Sequence, residues 1–107
     1  MKRFIAYGIG VLTAGLLLGA TAYAHTPLCS CNDNGDRTIT CEGGFSDGSS
    51  AAGVSMTIKD KSGKVLTKGK MDKMSSYTFQ KPAGPYKVIF DAGPGHVVEI
   101  DGKTITE

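Results

Sequence analysis

The chain reads as all-β, a small sandwich of six to seven short strands. Beyond Cys41 the sequence breaks into short runs in which apolar and polar residues alternate, and Gly, Pro, Asn and Asp punctuate them at close intervals. No stretch repeats apolar residues at helical spacing for the length of a helix. Taken together, these patterns predict strands joined by tight turns.

The first expected strand is RTITC (37–41), entered through NDNGD (32–36), whose Asn34-Gly35 pair is a strong signal for a two-residue hairpin loop. Such a loop sets residues 29 and 31 opposite 40 and 38, which places Cys41 on the other face of the ribbon. EGGFSDGSSAAG (42–53) reads as a small-residue loop. VSMTIKD (54–60) follows, with Val54, Met56 and Ile58 alternating against Ser55, Thr57 and Lys59, so one face is buried and one is wet.

KSGK (61–64) turns the chain into VLTKGK (65–70), and the polar MDKMS (71–75) leads to SYTFQ (76–80), with Tyr77 and Phe79 on one face. In KPAGP (81–85) Pro82 fixes its own φ and Gly84 can take a positive one, which makes a turn. YKVIFD (86–91) puts Tyr86, Val88 and Phe90 on one side. AGPG (92–95) interrupts before HVVEID (96–101), and GK (102–103) leads into a final short TIT (104–106). Strands of this number and spacing suit a sandwich with Greek-key connections.

Residues 1–24 carry the marks of a cleaved signal peptide: Lys2 and Arg3, an apolar run from Phe4 to Ala20, and the small-residue site Ala22-Tyr23-Ala24. Gly8, Gly10, Gly15 and Gly19 dilute the run, which argues against a retained anchor. The reading therefore divides the chain into a signal peptide (1–24), an N-terminal Cys/His arm (25–36) and a sandwich domain (37–107). It places the mature protein in the periplasm or outside the cell, with no membrane insertion after cleavage.

Lys2 and Arg3 account for two of the twelve basic residues, so residues 25–107 carry ten basic and ten acidic groups. A balanced charge gives no electrostatic footprint for nucleic acid. Cys29, Cys31 and Cys41 would all enter an oxidising compartment, where disulfides persist. Their odd number leaves at least one unpaired.

Residues 51–95, with the small-residue lead into a strand, Asp60 and Gly63 at a hairpin, an aromatic pair before a Pro/Gly turn and then GPYKVIFDAG, resemble the carboxypeptidase-regulatory or transthyretin-like sandwich modules of cell-envelope proteins. The Met74-Ser75-Ser76 turn departs from that pattern. The segment with His25, Cys29, Cys31, DNGD, Cys41 and GGFSDGSSAAG, together with FDAGPGH, is similar to small periplasmic accessory proteins of nickel and cobalt uptake systems. The first resemblance implies an Ig/transthyretin-like fold and the second implies metal handling.

Cleavage after Ala24 would make His25 the first residue, and its free α-amine and ring Nδ1 could chelate one metal ion together. His96, after a glycine-flanked turn, could add a second imidazole and complete a three-nitrogen site suited to copper(II) or nickel(II). Cys29, Cys31 and Cys41 have two readings: soft thiolate ligands, or a disulfide from Cys41 to Cys29 or Cys31 that ties the arm to the sandwich. Met71 and Met74 read as incidental, and DNGD (33–36) as a turn rather than a calcium loop.

No nucleophile elbow accompanies Ser46, Ser49 or Ser50, and with Asp91 and His96 they form no recognisable triad, so the chain is not expected to be an enzyme. The expectation is a periplasmic protein that binds nickel, cobalt or copper and serves a membrane metal transporter. Its rival is a non-catalytic cell-envelope interaction module with a structural disulfide. A third reading, a thiol redox protein, draws on the Cys-x-Cys pair. Amino-terminal sequencing of the exported protein should begin His-Thr-Pro-Leu; a start at Met1 would exclude the amine chelate.

Overall fold

The computed structural model describes residues 25–107 as seven strands and one short 3-10 turn. The expected signal segment, residues 1–24, lies outside the described residues. The strands are β1 (Pro27–Asp33), β2 (Thr38–Phe45), β3 (Ser55–Asp60), β4 (Val65–Lys70), β5 (Ser76–Gln80), β6 (Tyr86–Asp91) and β7 (Val97–Asp101). They form two antiparallel sheets, ordered β1-β2-β5 and β4-β3-β6-β7. Neighbours β2–β5 and β3–β6 are distant in sequence, which closes the sandwich in Greek-key fashion.

The alternation anticipated in β3, β5 and β6 lies between the sheets. Met56, Ile58, Val88 and Phe90 of one sheet pack with Ile39, Cys41 and Phe79 of the other, and Ala51, Met71 and Ile105 fill the ends of the layer. Edge strand β4 carries Lys68 and Lys70 and leaves Val65 and Leu66 exposed. Charged residues on an edge discourage further strand addition.

Four expectations are corrected. Residues 27–33 are not an arm outside the sandwich but its first strand, whose burial alternates with Cys29, Cys31 and Asp33 inward. The Asn34-Gly35 hairpin is not a two-residue loop. The Asn34 N–H donates to the Thr38 carbonyl, leaving Gly35, Asp36 and Arg37 as the loop, with Gly35 at φ 79° and Arg37 at φ 74°. Adding a residue changes the face relation, so Cys41 stands directly opposite Cys31. The expected last strand, 104–106, is instead the 3-10 turn Gly102–Thr104, after which Ile105 drops into the core. In addition, β2 runs on to Phe45, through glycines that had suggested a loop.

Aspartates shape the turns. Asp33, Asp36, Asp47, Asp60, Asp72, Asp91 and Asp101 each accept a hydrogen bond from the backbone N–H two residues ahead. This is the Asx-type contact that lets a short carboxylate replace a backbone partner. At Asp60 the Ser62 hydroxyl and the N–H groups of Ser62 and Lys64 hold the carboxyl below its ordinary value.

Gly43 lets the two sheets approach closely. A Cβ at Gly43 would lie 2.6 Å from Phe90 Cε2 and 2.7 Å from Met71 Sδ, whereas one at Gly44 would have no neighbour closer than 3.9 Å. Gly43→Ala should therefore destabilise the fold by about 1–3 kcal/mol. Gly44→Ala serves as the control, and the shift in denaturant midpoint separates the two.

Candidate functional site

Strand pairing brings the three cysteines together. Cys29 and Cys31 are two apart on β1 and share a face, and Cys41 faces the same way from β2. Their sulfurs all lie within 4.8 Å of one another, the one cluster of three or more His, Cys, Asp or Glu ligand atoms among the described residues. Counting alternate pairs from Asn34–Thr38 places Cys31 and Cys41 at a narrow position of the ladder, where facing side chains are closest. Their Cα atoms are 4.0 Å apart and the sulfurs are bonded. Closing a loop with a sequence separation of 10 stabilises the fold by about 2–3 kcal/mol.

Cys29 remains a free thiol beside that bond. It faces Gly43 across the ladder, so no side chain covers it from β2. It borders a surface depression of about 630 Å³ shared with Phe45, Ser50 and Ser75. Half-burial among apolar neighbours pushes its pKa from the ordinary 9.0 up to about 11.

The histidines lie apart from this cluster. His25 is exposed just ahead of β1, and its Nδ1 is 2.6 Å from an Asp47 carboxylate oxygen. The Thr26 N–H donates to the Ser46 hydroxyl and the Ser46 N–H to the Thr26 carbonyl, so the segment just ahead of β1 is laid along the 45–49 loop. Asp47 is held below its ordinary pKa chiefly by the Ser49 hydroxyl and N–H, with a smaller contribution from His25. His96 closes the β6–β7 turn, where its N–H donates to the Gly93 carbonyl and its Nδ1 lies 3.1 Å from the Pro94 carbonyl. With Nδ1 donating, Nε2 keeps its lone pair.

The cysteines thus form one site, while each histidine has its own partners. Sequence reasoning missed Asp47, because a loop carboxylate carries no periodicity that would place it beside His25. Met71 is buried in the core and Met74 is exposed, so they do not act as a thioether pair.

A chemical consequence follows from the buried thiol. Since folding raises the Cys29 pKa, its neutral form favours the native state below pH 9, and that contribution is lost as pH rises through about 11. Alkylation of the native protein by iodoacetamide should accelerate between pH 9 and 11, later than in the unfolded chain. Stability should fall more steeply over that interval than in Cys29→Ser. Equal pH profiles for native and unfolded protein would remove the burial argument. No family model, curated protein or solved structure matches this chain.

Proposed function

We propose that the mature chain is a periplasmic protein that binds a transition metal, nickel, cobalt or copper, and passes it to a membrane transporter. The observation that supports this reading best is the convergence of three cysteine sulfurs within 4.8 Å. Metal–sulfur bonds of about 2.3 Å set the three sulfurs of a trigonal site about 4 Å apart, so the reduced cluster needs little movement to close on an ion. Thiolates are soft donors, which favours copper(I) among the three metals when all the cysteines are reduced.

His25 supplies a second set of donors. Once processing frees its α-amine, amine and imidazole form a borderline chelate suited to nickel(II) or copper(II), in which the metal would replace the contact of Nδ1 with the Asp47 carboxylate 2.6 Å away. His96 can offer Nε2 if the two turns approach. The cargo is thus held by nitrogen donors in the oxidised protein and by sulfur in the reduced one.

The bond between Cys31 and Cys41 favours a second reading. It withdraws two of the three sulfurs from coordination, and a small sandwich closed by a disulfide is also how a non-catalytic envelope interaction module is built.

Calorimetric titration of the processed protein with nickel, cobalt and copper separates the readings. Sub-micromolar binding that disappears when a glycine is placed before His25 supports the amine chelate. Copper(I) binding that appears only after reduction, and is lost in Cys29→Ser, supports the sulfur site. The absence of both in the processed protein would overturn metal delivery and leave the interaction module.

A further inference from the structure

The spacing of the cysteines on β1 allows more than one bond to Cys41. A strand's faces repeat every two residues, and so do its narrow and wide ladder positions. Cys29 and Cys31 differ by that period. Sliding β1 by two residues along β2 would bring Cys29 opposite Cys41, with the same face inward and the same narrow pairing that Cys31 now has. A one-residue slip would do neither.

We infer that β1 has two registers on β2, selected by whether Cys31 or Cys29 is bonded to Cys41, and that the free thiol exchanges the bond between them. The inference is independent of metal binding. In the exchange, the Cys29 thiolate attacks the Cys41 sulfur. The Cys29–Cys41 bond forms, the Cys31–Cys41 bond breaks, and its electron pair leaves on Cys31, which takes up the proton Cys29 gave up. No external oxidant or reductant is consumed.

Three observations carry this. The attacking sulfur is already within 4.8 Å of both bonded ones. The present register holds Arg37 at φ 74°, left-handed backbone that a non-glycine residue rarely adopts. In the second register Asn32–Thr38 is the last hydrogen-bonded pair, so the loop widens to the five residues 33–37 and Arg37 no longer belongs to a three-residue turn. Arg37 can leave that turn without disturbing β5, since its carbonyl already accepts from the Lys81 N–H one step beyond the Thr38–Gln80 pair. Finally, β1 is an edge strand of its sheet, and β2 is its one strand neighbour there.

The slide exchanges some contacts. It breaks the Asp33–Thr106 backbone bond and the Lys81–Asp33 ion pair, and it moves the segment before β1 by about 7 Å. His25 would leave Asp47. The bond's position therefore sets where the amino-terminal segment lies.

The test uses the exported protein. Held at pH 9 without oxygen or added thiol, quenched in acid, alkylated in denaturant and mapped by tandem mass spectrometry, it should carry the label on Cys31 in about 1–10 % of molecules. Label confined to Cys29 would overturn the exchange. The Cys31→Ser variant should form a Cys29–Cys41 bond, with no free thiol and with backbone proximity of Asn32 to Thr38 by NMR. A folded Cys31→Ser protein with two free thiols would overturn the second register. If that variant does not accumulate, the mapping of the unmodified chain decides.

Discussion

The pairing of β1 with β2 through the bond between Cys31 and Cys41 fixes how the amino-terminal strand sits on the sandwich. β1 turns no large apolar side chain inward; its inner face is Cys29, Cys31 and Asp33. A strand with so little to bury gains little from packing and defines its register weakly. The sulfur bond supplies what packing does not. It sits in the row Cys31–Cys41–Tyr77, one step from Asp33–Ile39–Phe79, and so joins the edge strand to the centre of the core.

What the sequence made legible follows from which signals were local. β3, β5 and β6 were readable because Met56 and Ile58, Tyr77 and Phe79, and Val88 and Phe90 alternate with polar residues, and burial between two sheets demands that pattern. β1 was hidden because cysteines occupy its inner positions, and cysteine suggests chemistry before it suggests a strand. The hairpin register was misread because Asn34-Gly35 favours a two-residue loop, while the fold accepts Arg37 in left-handed backbone to bring Cys31 over Cys41. The tail was misread because Ile105 lies in an alternating triplet, yet it packs from the end of a 3-10 turn.

The candidate site divides in the same way. Cys29, Cys31 and Cys41 were identifiable by residue type, and His25 by its place after a small-residue cleavage motif. Their grouping depended on register, which no single segment encodes. The strand separates what the chain sequence placed close together, sulfur inside the sandwich and imidazole at its rim.

The aspartates have a consequence for charge. All seven are engaged through a side-chain oxygen with the backbone two residues ahead, so their carboxylates act first as geometry. Asparagine offers an oxygen at the same reach, while glutamate, one methylene longer, does not. The chain can thus gain positive charge by Asp-to-Asn exchange with its turns intact, whereas the change between the two acids, neutral in charge, would unmake them. For the turns of this protein the length of the side chain is a more restrictive variable than its charge.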